Sequence, residues 1–188
     1  MEKIRSFIAM ELAPQVREQL RDIQARLKPL DLDVSWVKPE NIHITLKFLG
    51  EVPDKKIHDV QDSLPGIFKN LPPFPIALGG LGAFPQPERA RVIWVGLSEG
   101  EDRVKAAAET LEHRLGLMGF TKEARGFTAH LTLGRVKSGK NLPRLVQAIQ
   151  DLTPPHGARQ TVSRIVLFKS TLHSSGSIYE PLSAVSLQ

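Results

Sequence analysis

The chain has 188 residues, 41% of them hydrophobic and 24% charged, and it carries no cysteine. That size and balance suit one domain or two small, closely packed lobes, and the missing thiols exclude disulfides and thiolate metal sites. Lys and Arg outnumber Asp and Glu by 25 to 20, a formal charge of +5 that favours anionic partners without choosing among them.

In chain order, Ile4 to Met10 reads as an opening strand. Its apolar run is broken by Glu11 and Pro14 and is too short for a signal-peptide core or a membrane span, so a cytoplasmic protein without membrane contact is expected. Pro14 sits where a first helical turn tolerates it, and Val16, Leu20, Ile23 and Leu27 recur at helical spacing until Pro29 stops the run. Ser35-Trp36-Val37 is a short extended piece, and Ile42 to Leu49 reads as a strand closed by Gly50. A second helix starts at Pro53-Asp54 and carries Ile57, Val60, Leu64 and Phe68 on one face. Phe74 to Leu78 and Arg91 to Leu97 read as strands joined by a glycine and proline loop from Gly79 to Pro87. With neither a Lys-Ser nor a Lys-Thr pair after it, that loop is not expected to cradle a nucleotide.

Glu101 to Met118 is the next helix, striped by Val104, Ala108, Leu111 and Leu115. Phe127 to Val136 reads as a strand, and Pro143 opens a helix through Leu145, Val146 and Ile149 that Thr153-Pro154-Pro155 ends. Thr161 to Phe168 and Ile178 to Leu187 complete the strands, with a turn at Ser174-Ser175-Gly176-Ser177.

One four-residue phrase occurs twice inside these strands, His43-Ile44-Thr45-Leu46 and His130-Leu131-Thr132-Leu133. On a strand, residues i and i+2 share a face, so each copy presents an imidazole and a hydroxyl side by side with aliphatic packing behind. A proline-started helix follows each copy, at Pro53 and Pro143. This coarse duplication predicts two α+β lobes, each centred on one motif, meeting at a pseudo-two-fold cleft within a single two-lobed domain over 1–188. No linker separates the halves, so neither is expected to fold alone.

A single His-x-Thr on a strand is ordinary, because Thr is a good strand former. Its recurrence on the same parity points to chemistry. Near neutral pH a facing pair of imidazoles can hold one neutral and one protonated member, which is what breaking a phosphodiester needs: one ring activates the incoming oxygen and the other protonates the departing one. Thr45 and Thr132 would donate to the non-bridging oxygens. Arg135 could add positive charge but has the wrong parity on a regular strand, so only a twist, a bulge or a strand end would bring it round. Lys47 has the right parity to face the cleft beside His43 and Thr45, or to be a solvated strand position. His58, His113, His156 and His173 lack motif partners and read as exposed or structural. A metal held by His43, His130 and Glu40 would be a sparse donor set, and no site of the His-Glu-x-x-His type occurs.

The two phrases resemble the two-histidine phosphoesterase superfamily. Three stretches are most similar to the RNA 2′,3′-cyclic phosphodiesterases, historically called 2′-5′ RNA ligases: Arg5 to Leu12, Trp36 to Gly50 and Phe127 to Arg135. The resemblance implies a bilobal α+β duplication, with antiparallel sheets flanked by helices and the active cleft between the lobes. It implies His43 as proton donor, His130 as proton acceptor, and Thr45, Thr132 and Arg135 as phosphate ligands, with no metal or other cofactor. The implied reaction converts a terminal 2′,3′-cyclic phosphate on RNA, or a small cyclic nucleotide, to a 2′-phosphate. Attack by a 5′-hydroxyl in place of water would make a 2′-5′ linkage, and a monomer is expected. Phe7, Trp36, Phe48 and Phe127 flank the motifs, and one of them could stack on the terminal base. Two rival readings stay open: a nucleotide or RNA-end binding module with little turnover, and a phosphodiesterase for other cyclic or 2′-5′ bonds.

Overall fold

The computed structural model describes residues 3–124, 126–152, 157–174 and 176–188. Its strands are β1 (Lys3–Met10), β2 (Val34–Trp36), β3 (Ile44–Pro53), β4 (Phe74–Phe84), β5 (Val92–Glu99), β6 (Leu131–Val136), β7 (Arg159–Val162), β8 (Arg164–His173) and β9 (Gly176–Ser186). Its helices are α1 (Pro14–Leu27), α2 (Asp54–Phe68), α3 (Glu101–Leu117) and α4 (Leu142–Asp151). α1, α2 and α3 bury the stripes their spacing predicts, as with Val16, Leu20, Ile23 and Leu27 on α1 or Val104, Ala108, Leu111 and Leu115 on α3, whereas α4 buries Leu145 and Ala148 and leaves Val146 and Ile149 half-buried.

All strand pairs are antiparallel, in the order β7-β4-β5-β6-β3-β1-β8-β9, with β2 also on β6. The order is symmetric about its middle. One half holds β9, β8, β1 and β3, the other holds β6, β5, β4 and β7, and they join where β3 pairs with β6 through Ile44 and Leu131 alone. Two helices, α1 and α3, cross over between halves, while α2 stays on β1, β3 and β9 and α4 on β4. α3, which follows β5 in the second half, packs on β3 and α2 behind the first. α1, which follows β1 in the first half, packs against β7 and the 3₁₀ turn Pro39–Asn41, and its Gln24 donates to the Leu133 carbonyl of β6.

Four sequence expectations need correction. Gly50 does not close the first motif strand, which runs on to Pro53. It has φ of +75° next to a register shift against β1, a backbone that glycine adopts without strain. The stretch from Gly79 to Phe84 is not a loop but the outer part of β4. A Cβ on Gly82 would come within 2.3 Å of the Trp94 ring, so this glycine makes room for an indole. Thr161 to Phe168 is two strands broken at Ser163, because β7 pairs with β4 and β8 with β1, and the chain changes halves between them. Finally, both motif histidines precede their strands, since β3 and β6 pair only from Ile44 and Leu131 onward. Thr153, Pro154, Pro155 and His156, and Ser175 of the expected turn, lie outside the described residues.

The two motif strands share a further device. Against β1, Thr45 pairs with Ala9 and Lys47 with Ile8, leaving Leu46 as an extra residue. Against β5, Thr132 pairs with Trp94 and Gly134 with Ile93, leaving Leu133 extra. The last leucine of each phrase is therefore a β-bulge, and alternation changes phase after it. Burial follows the same sequence on both strands: residues 44, 46 and 47, like 131, 133 and 134, are buried, whereas Phe48 and Arg135 are exposed.

The phase change sends Lys47 inward, away from the cleft that its parity suggests. Its side chain is 3% exposed, and its ammonium lies 2.7 Å from the Glu112 carboxylate on α3, with a second bond to the Thr121 carbonyl. Glu112 also accepts the Glu123 amide and keeps 25% exposure. Glu112→Ala leaves a nearly buried charge without its counter-ion and should cost about 3–5 kcal/mol. Lys47→Met leaves a carboxylate that water still reaches and should cost less. Urea denaturation checks this, and equal losses would reject the asymmetry.

Candidate active site

A cleft of about 970 Å³ lies over the junction of the two halves. His43, Thr45, His130, Thr132 and Arg135 all line it. With Ile44 and Leu131 paired and pointing into the core, the residues on either side of them must face the opposite way. His43 and His130 thus stand on the cleft side of that pair, near enough for the charge of His130 to act on the His43 ring. The bulge at Leu133 brings Arg135 to the same face as Thr132, which is the distortion that the arginine required.

Each imidazole is oriented in the same way. His43 Nδ1 donates to the Asn41 carbonyl at 2.7 Å, and His130 Nδ1 donates to the Thr128 carbonyl at 2.8 Å, two residues back in both cases. A carbonyl can only accept, so Nδ1 carries hydrogen and Nε2 is left for chemistry. The surroundings of the two rings differ. His43 stacks on Phe7 at 4.7 Å and meets the edge of Tyr179 at 5.3 Å, part of an apolar group with Ala9, Val166 and Phe168. His130 stands edge-on to Phe84 at 5.1 Å and beside Trp94. Withdrawal from water pulls the His43 imidazole down to about 4, with the Asn41 carbonyl opposing that pull and the charge of His130 adding to it.

Asn41 also ties the site to the β8–β9 hairpin, its side-chain amide donating to the Ser177 carbonyl at 2.7 Å. Leu172, His173, Ser174, Gly176, Ser177 and Tyr179 of that hairpin line the cleft. His173, read from the sequence as lacking a motif partner, is thus exposed at the cleft rim, whereas His58 and His113 are exposed on helices. Of the four flanking aromatics, Trp36 and Phe48 line the cleft openly, Phe7 is the floor beneath His43, and Phe127 packs on the main core. Sequence reasoning missed Arg5, Asn41 and Tyr179. The first two stand inside the stretches that carry the resemblance, while Tyr179 leaves no local signal. Glu40 is exposed on its 3₁₀ turn outside the cleft lining. Among the described residues no group of three or more His, Cys, Asp or Glu side chains gathers as metal donors, and no helix is long and apolar enough to cross a membrane.

Comparison with known proteins places the chain in a family. The sequence profile described as LigT like Phosphoesterase matches twice, over 10–94 and 95–179. The chain belongs to the LigT-like phosphoesterase family. The family's two matches coincide with the duplication of the motif, one His-x-Thr in each. Relatives named RNA 2′,3′-cyclic phosphodiesterase include one from Methanothermobacter thermautotrophicus, 35% identical over 94% of this chain and 95% of its own, and one from Thermotoga maritima, 34% identical over 95% and 93%. Among solved structures of this phosphoesterase fold, TT0787 of Thermus thermophilus superposes with a TM-score of 0.80 at 26% identity, covering 98% of both chains. E. coli LigT complexed with 3′-AMP superposes with a TM-score of 0.78 at 26% identity, covering 100% of this chain and 99% of its own.

The apolar packing around the half-buried His43 ring makes two linked predictions. In an NMR titration its ring should take up a proton near pH 4, well below the ordinary imidazole value of about 6.5, and Tyr179→Ala should move that midpoint upward by admitting water. Because the unfolded ring binds its proton first, stability is intact above about pH 6.5 and falls as pH drops towards 4, by about 3 kcal/mol from this group. His43→Gln should flatten that part of the stability curve. A wild-type midpoint near 6.5 would remove the basis for both.

Proposed function

We propose that this phosphoesterase hydrolyses the terminal 2′,3′-cyclic phosphate of RNA to a 2′-phosphate through an acid–base pair of histidines. The observation that carries the reading is the presence of two identically tethered imidazoles, each beside a threonine, on either side of one strand junction in one cleft. The names of the relatives supply the substrate class.

In this scheme water attacks phosphorus and gives its proton to His130 Nε2. The bond to the 3′ oxygen breaks, and that oxygen takes a proton from His43 Nε2. Thr45 and Thr132 donate to the non-bridging oxygens, and Arg135 meets the charge that grows on them. A 5′-hydroxyl that enters in place of water completes the same displacement and forms a 2′-5′ bond. All of these side chains come from one chain, so the site needs no second copy.

His43 is neutral at pH 7 in the free protein, and the incoming phosphodiester anion works to load its proton. A ring that is hard to protonate is a strong donor once protonated. The active free form carries one proton on the pair, so kcat/KM should be bell-shaped, its limbs belonging to the pair as a unit. The acid limb marks the second proton and should lie near pH 4 to 5 rather than near 6.5. Product analysis with an RNA ending in a cyclic phosphate tests the reaction. Wild-type protein should yield the 2′-phosphate, and His43→Ala and His130→Ala should each lose roughly 10²–10⁴-fold in rate. Binding without turnover by the wild type would favour the RNA-end binding reading instead, and turnover confined to other cyclic or 2′-5′ bonds would favour the third.

A further inference from the structure

Arg5 lies on β1 on the same face as Phe7, and its guanidinium carbon sits 4.5 Å above the centre of the Phe48 ring. Both residues line the cleft. Arg5 is half-buried, its Nε is closed off from water without a hydrogen-bond partner, and none of the ion pairs among the described residues includes it. Lys47, Arg159 and Arg164, by contrast, are each neutralised by a carboxylate. A guanidinium held over an aromatic ring by cation–π attraction keeps its N–H donors available, which suits the oxygens of a phosphate.

The two-fold pattern sets where that phosphate would lie. Phe48 stands three residues beyond Thr45, as Arg135 stands three beyond Thr132, each just past its bulge. Because β3 and β6 run in opposite directions from their single paired point, Arg135 marks one end of the cleft and Arg5 on Phe48 marks the other. Along β1, Arg5 is four residues beyond Ala9, the partner of Thr45, a span of about 13 Å at the usual strand rise. An arginine there stands away from the reacting phosphorus, and its reach returns it part of the way.

We propose that Arg5, propped on Phe48, receives the phosphate on the 5′ side of the terminal nucleotide, and so makes the site prefer RNA ends over free cyclic mononucleotides. The inference rests on the reaction proposed above and adds the part of the substrate that sets specificity.

The test compares three substrates on the intact protein: a nucleoside 2′,3′-cyclic phosphate, the same compound bearing a 5′-phosphate, and a dinucleotide ending in the cyclic phosphate. Wild-type kcat/KM should be roughly ten- to a hundredfold higher for the second and third, carried by KM, as expected of a charge-assisted contact. Arg5→Gln should bring both ratios towards one and lower the salt dependence of dinucleotide binding by about one phosphate contact. If Arg5→Gln does not fold, Phe48→Leu at its exposed position removes the prop and should reduce the same ratios. Equal wild-type rates for the first two substrates, or ratios that survive in the variant, overturn the assignment. Wild-type protein inert to all three would instead overturn the proposed reaction.

Discussion

The architecture depends on one paired position. Among the described residues Ile44 and Leu131 are the only partners between the motif strands, both are fully buried, and they follow the two histidines directly in sequence. Beyond them the strands part, which opens a cleft on one side while their aliphatic side chains seal the core on the other. A longer ladder would close the cleft, and none would leave the rings in unrelated places. Two imidazoles distant along the chain become neighbours because the sheet is stitched once at that point.

The paired bulges turn this stitch into a site. Leu46 and Leu133 each insert a residue just after a motif threonine, and the alternation that follows is inverted. A basic side chain changes faces as a result: Lys47 goes inward to Glu112, and Arg135 comes outward to the cleft. Each bulge is braced from behind by the helix that has crossed over from the other half. Glu112 of α3 holds Lys47 on β3, and Gln24 of α1, 1% exposed, donates to the carbonyls of Leu133 and Val37. Helix exchange therefore supports both the local backbone distortion and the sheet.

Much of this is legible in the residues, for physical reasons. Helical stripes on α1 and α3 and the doubled His-x-Thr are periodic signals, and periodicity survives folding. The bulges are not periodic signals: nothing local in Thr45-Leu46-Lys47-Phe48 announces that residue 46 has no partner, so parity alone gives Lys47 the wrong face. The strand nature of Gly79 to Phe84 is hidden because Gly82, which makes room for Trp94, and Gly79, which lies against the Leu97 backbone, look like glycines that make a loop. Asn41 and Tyr179 act through neighbours far away in sequence, on the β8–β9 hairpin and under the His43 ring, and no pattern near them carries that information.

The crossing of the helices also bears on how such a chain could arise. Each half keeps one helix on its own strands, α2 on β1, β3 and β9 and α4 on β4, and sends the other across, α1 to β7 and α3 to β3. Two copies of such a unit, each lending one helix to the other, would bring one His-x-Thr from each to a common seam. The doubled phrase and the crossed pair α1 and α3 give the present chain the form of that exchange joined into one polypeptide.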